Sequence, residues 1–426
     1  MSLYNKRGVS AQKEEVHAAV KDLDQGLYPY AFCKLYPDYL GGDDNYATVM
    51  HADGAGTKSI LAYLYWKETG NTEVWRGIAQ DAIVMNLDDL LCIGIYDNII
   101  FNSTIDRNKH LIPGQVLEKI INGTQEFFDL MKMHGVNIHF LGGETADVGD
   151  VVRTVAVNGT MAARWPKDRL VTNEKIVAGD VIVGLASYGQ STYEDNYNSG
   201  IGSNGLTSAR HDVLSNYYAD NFKESFDNNL AAEVVYNGKN KMTDKVSSIQ
   251  YPASGIQYPA SGIQYPASSI QYPASGIQYP ASGIPDPASD IGHLLLSPTR
   301  TYAPLMKVLL QNHFDKIHGL IHCSGGGQTK CLKYLPGNFR IIKDNLFDTP
   351  PVFNLIQSNS GSSNREMYEV FNMGCRLEIY CAPGNAQTMI EEAKKFNIDA
   401  QVIGRVEESD KKELLIKLGN EEICYP

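Results

Sequence analysis

The sequence predicts a two-domain α/β (α+β) protein with mixed sheets. Three observations carry this: a length of 426 residues, too long for one ordinary core; apolar runs that switch between period two and the helical period; and glycine clusters placed just after short apolar runs in both halves. With 43% hydrophobic and 20% charged residues the chain has a globular composition. A formal net charge of -12 argues against nucleic acid or an anionic membrane as partner, because either needs a basic face. The opening MSLYNKRGVSAQKEEVHAAV lacks the apolar core of a secretory signal, and charges interrupt each later apolar run, so a cytoplasmic protein without membrane spans is expected. Seven scattered cysteines without a C-x-x-C pair encode neither a disulfide framework nor a zinc site.

In chain order, the first chemically informative stretch is HADGAGTKS, residues 51 to 59. It is not a Walker A loop, since Thr57 rather than glycine precedes Lys58. Gly54 and Gly56 nevertheless permit close backbone approach, and Thr57 and Lys58 supply a hydroxyl and a positive charge suited to an anion. Asp53 suits that anion only if a cation such as Mg²⁺ bridges carboxylate and phosphate. Further acids follow: Asp81 in GIAQDAIVMN, then Asp88 and Asp89, seven and eight residues on, with Asp81 and Asp88 nearly on one face of a helix.

A helix over about 114 to 134 opens at Pro113-Gly114 and stops at Gly135, with Val116, Leu117, Ile120, Ile121, Phe127, Phe128 and Met131 on one side. NIHFL then reads as a strand ending in a Gly142-Gly143-Glu144 turn, and VVRTVAVNGTMAAR alternates like a half-buried strand. For each acid alone, a helix cap or a solvated carboxylate is the better explanation. Taken with DGAGTK, Asp53, Asp81, Asp89 and Glu144 favour Mg²⁺ bound with a nucleotide.

The second domain, 176 to 426 after a first over 1 to 175, begins near Gly179. VIVGLAS reads as a strand, SNGLTSARHDVL as a helix entered through Ser203-Asn204, and RTYAPLMKVLLQNHF as a helix with proline in its first turn. IHGLIHCS precedes Gly325-Gly326-Gly327, and the tail reads strand (CRLEIYCAP), helix (NAQTMIEEAKKFN), strand (AQVIGRVEE), strand (ELLIKL). His322 is either a packed strand-end histidine or a substrate-facing one. Arg300 either forks onto a phosphate or sits solvated, and Arg376 reads as structural. Between these elements, residues 249 to 290 repeat IQYPASG with period seven. Proline and glycine in nearly every unit exclude a coiled coil, leaving a surface insertion or, less simply, an adhesive loop.

In this order the motifs resemble the phosphoribosylformylglycinamidine cyclo-ligase (AIR synthetase) family. The matching residues are Asp53-Gly54 with Gly56-Thr57-Lys58; Asp81; Asp89-Leu90; Gly142-Gly143-Glu144-Thr145-Ala146; Gly179-Asp180; Ser203-Asn204-Gly205; Pro298-Thr299-Arg300 with Tyr302; His322 with the triple glycine; and Glu366-Met367-Tyr368 with Phe371-Asn372 and Gly374. The resemblance implies an N-terminal sheet that pairs with its partner's in a homodimer, forming a barrel-like interface, and an ATP site shared between the domains. It also implies conversion of formylglycinamidine ribonucleotide and ATP to aminoimidazole ribonucleotide, ADP and phosphate. On this basis Asp53, Asp81, Asp89 and Glu144 hold Mg²⁺; Thr57 and Lys58 meet the triphosphate; Gly54, Gly56, Gly142, Gly143, Ser203, Asn204, Gly205, Gly325 and Gly326 line the ATP and substrate sites. Thr299 and Arg300 touch ligand, and His322 shuttles a proton. This sequence departs from the family pattern at Gly202, where a histidine usually precedes Ser-Asn-Gly, at Asp88, in Leu40-Gly41-Gly42, and in Gln328-Thr329-Lys330. Rival readings are a hydrogenase-maturation dehydratase-like or thiamine-phosphate kinase-like enzyme, or a non-catalytic scaffold that uses the repeat loop.

Overall fold

In the computed structural model, which describes residues 3–9, 14–20, 22–246 and 289–426, two mixed sheets are each backed by helices. Short helices α1 (Leu3–Lys6) and α2 (Glu14–Val20) come first. A five-stranded sheet is then built from β1 (Tyr36–Pro37), β2 (Tyr46–Gly54), β3 (Ile99–Arg107), β4 (Ile138–Asp147) and β5 (Val155–Pro166) in the order β1-β2-β5-β3-β4. Only β3 and β4 run parallel. Their crossover is α5 (Gly114–Met133), which buries Val116, Ile120, Phe127, Phe128 and Met131 of the predicted stripe but leaves Ile121 exposed. Helices α3 (Lys58–Thr69) and α4 (Val74–Leu91) also cover this face, and α4 is buried for most of its length.

The C-terminal half supplies β6 (Val181–Ala186), the small pair β7 (Tyr188–Gly189) and β8 (Asn198–Ser199), and helices α6 (Leu206–Val213), α7 (Tyr217–Asn221), α8 (Ile291–Leu296) and α9 (Ala303–Asn312). Then come β9 (Gly319–His322), β10 (Phe339–Lys343), α10 (Pro351–Ser360), α11 (Asn364–Val370), β11 (Cys375–Cys381), α12 (Ala386–Lys395), β12 (Ala400–Glu408), β13 (Glu413–Leu418) and β14 (Glu421–Tyr425). The seven-stranded sheet has the order β14-β13-β10-β12-β6-β11-β9. The strands of the first sheet come from residues before 167, those of the second from residues after 180.

Two sequence expectations change here. The Gly142-Gly143 pair does not end its strand as a turn: β4 runs through it, because pairing with β3 resumes at Ser103–Gly143 after a one-residue bulge, with Gly142 at φ +88°. Gly143 is required by close approach, since a Cβ there would stand 2.0 Å from the Ser103 carbonyl oxygen. The heptad repeat lies almost wholly outside the described residues. Its base does not: the Val246 amide donates to the Ser289 carbonyl (2.9 Å), so the chain leaves and re-enters the fold at one point. Among the described residues no helix is long and apolar enough to cross a membrane.

Candidate active site

The acids of α4 reach across to the C-terminal half. Asp81 Oδ1 accepts from the Thr299 amide (2.8 Å), the Thr299 hydroxyl (2.5 Å) and Lys58 Nζ (2.9 Å). Lys58 Nζ also donates to the Ser297 carbonyl at 2.5 Å. Two helical turns further on, Asp88 Oδ1 accepts from the Thr301 hydroxyl (2.6 Å). Two carboxylates seven residues apart thus clamp the 297–302 segment, which is why the one-face spacing matters. Burial lowers the Lys58 pKa, and Asp81 opposes that shift. Lys58 and Thr299 are sealed from solvent, so neither is presented to a triphosphate or a substrate as expected. Arg300 is likewise committed: its guanidinium pairs with Glu194 (2.5 Å) and donates to the Ala186 and Tyr188 carbonyls, leaving no free fork for a phosphate.

Asp89 stands between two histidines. Oδ1 accepts from His322 Nδ1 (2.6 Å) and Oδ2 from His51 Nε2 (3.2 Å). Burial raises the Asp89 carboxyl, but hydrogen bonds and charge from both imidazoles outweigh it and hold the group well below the carboxylate range. An ionised carboxylate only accepts, so His322 carries a proton on Nδ1 and its Nε2 faces away from Asp89. That buried Nε2 has no hydrogen-bond partner among the described residues. His51 donates from both nitrogens: Nδ1 faces Asn86 Oδ1 at 3.0 Å, and the Asn86 amide nitrogen is spent on the Asp53, Ala82 and Gly159 carbonyls. His51 is therefore an imidazolium. Burial pulls its pKa down, yet the Asp89 bond and charge lift it to about 8.

Glycine motifs from three parts of the chain meet beside this group. The Thr57 hydroxyl touches the Thr207 hydroxyl (2.5 Å), tying the DGAGTK turn to the start of α6. Gly325 lies against Asn204, whose Nδ2 would be 3.3 Å from an added Cβ. Gly205 and Gly327 both have positive φ, and a Cβ on either would strike the 368–371 segment, so the Phe371-Asn372 motif packs under both turns. Asn372 fixes that layer by bonding the Ser187 hydroxyl, the Gly200 carbonyl and the Gly374 amide. The Ser203 hydroxyl is buried without a partner.

The four expected metal carboxylates do not converge. Among the described residues no group of three or more His, Cys, Asp or Glu side chains is placed to hold a metal ion. Asp81 and Asp89 are consumed as above. Asp53 sits in the row Asp53–Gly159–Ser103–Gly143 across the sheet, on the α4 side with His51. Glu144 pairs with Thr104, one residue further, and the bulge at Gly142 turns it to the open face. Three strand spacings, about 14 Å, and opposite faces separate Asp53 from Glu144. His51 was missed in the sequence, although its place two residues before Asp53 on an alternating strand puts both on one face.

Family profiles match at both ends: "AIR synthase related protein, N-terminal domain" over residues 34–165 and "AIR synthase related protein, C-terminal domain" over 275–417. The chain belongs to the AIR synthase-related family. Curated members named phosphoribosylformylglycinamidine cyclo-ligase include one from Methanocaldococcus jannaschii, 29% identical over 92% of this chain and 84% of its own. Another, from Sulfurisphaera tokodaii, is 28% identical over 93% and 91%. Among solved structures, a HypE–HypF complex matches with a TM-score of 0.51 at 14% identity over 98% and 99%, a likeness of fold. Thermotoga maritima PurL complexed with FGAR matches at 0.48 and 15% identity over 99% of this chain and 53% of its own.

Proposed function

We propose that the chain is an ATP-dependent cyclo-ligase that converts formylglycinamidine ribonucleotide to aminoimidazole ribonucleotide, with release of ADP and phosphate. The observation that carries this is the meeting of the DGAGTK, Ser-Asn-Gly and triple-glycine turns around the His51–Asp89–His322 array, in a chain alignable over nine-tenths of its length with relatives of that name.

In this reaction the terminal phosphoryl of ATP passes to the formamide oxygen, which makes that oxygen a leaving group. The amidine nitrogen attacks the same carbon, the C–O bond breaks, phosphate departs and the nitrogen loses a proton. Positioning and a proton acceptor are what the protein must supply. His322 Nε2 is the acceptor: Asp89 holds the ring and stabilises the imidazolium that forms, while the charged His51 keeps Asp89 ionised. The nucleotide phosphates meet the Gly56, Thr57 and Lys58 amides at the start of α3, the Gly54, Ala55, Ser59 and Ile60 amides being already bonded within the protein. Lys58 acts from behind, fixing Asp81 and the 297–299 segment.

Magnesium bound with ATP needs only one or two protein carboxylates beside phosphate oxygens. Asp53, exposed beside the turn, fits that demand, whereas a cage shared by Asp53 and Glu144 of one chain does not. The ion supplies charge neutralisation at the phosphates.

The open face of the first sheet carries Met50 (75% exposed), Leu141 (61%) and Ile100. A second copy of the chain covers it in a homodimer on this reading, since such a face is otherwise a liability. The setting is cytoplasmic. Substrate-dependent ADP release in the presence of Mg²⁺ tests the assignment, and ATP hydrolysis indifferent to the ribonucleotide would count against it.

A further inference from the structure

One buried cation plays no part in the account above. Arg376 is 2% exposed, yet Nε and both terminal nitrogens of its guanidinium lack a hydrogen-bond acceptor among the described residues. Its ion-pair partner is Asp88 Oδ2, 3.7 Å from the guanidinium and without a hydrogen bond among the described residues, and the Tyr302 ring lies 5.7 Å away. A structural arginine does not look like this, because a buried guanidinium is normally saturated by acceptors and each unmet donor is costly. Arg300 shows the contrast within the same molecule: its donors meet Glu194 and two backbone carbonyls.

The local backbone aims Arg376 into a cavity. The register of β11 against β6 shifts between Cys375 and Leu377, so Arg376 sits on a bulge, a device that re-aims a side chain. The cavity, about 10 Å³, is bordered by Gly202, Asn204, Ser324, Asn372 and Arg376. Gly202 leaves it open: a Cβ there would already stand 3.8 Å from an Arg376 terminal nitrogen. The Arg376 carbonyl accepts from the Cys323 amide (2.7 Å), which places the residue next to His322 on the adjoining strand.

We propose that Arg376 is a substrate-binding residue, donating a forked pair of hydrogen bonds to the formamide oxygen of the ribonucleotide in the space left by Gly202. The cavity has room for about one water-sized group, so only the terminal oxygen of a ligand enters it. The choice between the two oxygen-bearing ends follows from Asp88. A phosphate dianion bound to the guanidinium would meet that carboxylate at contact distance, whereas a neutral carbonyl does not suffer the repulsion. The assignment rests on the proposed cyclo-ligase activity and adds the residue that distinguishes its substrate.

The test compares the wild-type full-length protein with Arg376→Met, Arg376→Lys and Gly202→Leu. For Arg376→Met, kcat/KM for formylglycinamidine ribonucleotide is expected to fall about 100-fold, the size of a lost charge-assisted pair, with the KM for ATP unchanged. The melting temperature falls only modestly, because the variant strands Asp88 but also removes a guanidinium without hydrogen bonds. Arg376→Lys recovers part of the loss, lacking the fork. Gly202→Leu, which fills the cavity and keeps the charge, raises the ribonucleotide KM as well. Ribose 5-phosphate, used as a competitive probe of the phosphate end, inhibits wild type and Arg376→Met alike. A melting temperature that drops while both KM values hold would make Arg376 structural and overturn the proposal. So would loss of ribose 5-phosphate inhibition in the methionine variant, which would assign the phosphate instead. Wild type inert toward the ribonucleotide would instead refute the cyclo-ligase reading, a result separable from the other two.

Discussion

Lys58 Nζ and Asp81 Oδ1 lie 2.9 Å apart with both side chains sealed from water, so the lysine of the DGAGTK motif is a buried ion-pair partner and not an open phosphate hook. Removing one member of such a pair leaves an uncompensated charge, at a cost of about 3–5 kcal/mol. Lys58→Met is therefore expected to lower the urea midpoint together with activity, and Asp81→Asn in the same chain to restore part of the stability. An inactive Lys58→Met protein with an unchanged midpoint would return Lys58 to the ligand.

The His51 pair gives a pH dependence of defined sign. Its pKa is raised from 6.5 to about 8 in the folded protein. The folded state thus binds the extra proton, and the stabilisation is complete below about 6.5 and lost as pH rises through 8, about 2 kcal/mol in all. Denaturation midpoints at pH 6 and pH 8.5 measure it. His51→Gln should flatten the difference; an undiminished slope in that variant would remove His51 as its source.

His322→Asn tests the proton acceptor. The asparagine keeps a donor for Asp89 but offers no basic nitrogen, so kcat is expected to fall roughly 10²–10⁴-fold with the ATP KM little changed. Retention of kcat within a factor of about three would end the proposed role.

How much of this was legible beforehand depends on range. The α5 stripe and the alternation of β5 are local patterns, and both elements appear where the pattern places them. The acids were visible, but their partners were not: Asp81 meets Thr299 and Asp89 meets His322 across more than 200 residues. No spacing rule reports such contacts. Gly142-Gly143 looked like a turn because glycine marks both turns and bulges, and only pairing with β3 decides between them. Helix α4 concealed its role, being apolar on the sheet side and charged toward another domain. Strands β10 and β14 and helices α10 and α11 went unassigned, their short runs giving little periodicity to read.

The insertion is expected to be dispensable. Val246 and Ser289 already share a hydrogen bond of 2.9 Å, and Lys245 bridges Asp290, so the fold closes beneath the repeat. Deleting residues 249 to 284 leaves six residues to span that gap. Activity and melting temperature should match the full chain; a folded deletion protein without activity would give the repeat a function.

The central claim is the coupling of nucleotide cleavage to ring closure. The direct measurement follows ADP and aminoimidazole ribonucleotide together after the full-length protein is mixed with ATP, Mg²⁺ and formylglycinamidine ribonucleotide. Equal amounts of both products, and neither without the ribonucleotide, are predicted. ADP formed without aminoimidazole product, or no ADP at all from a folded protein, would contradict the account.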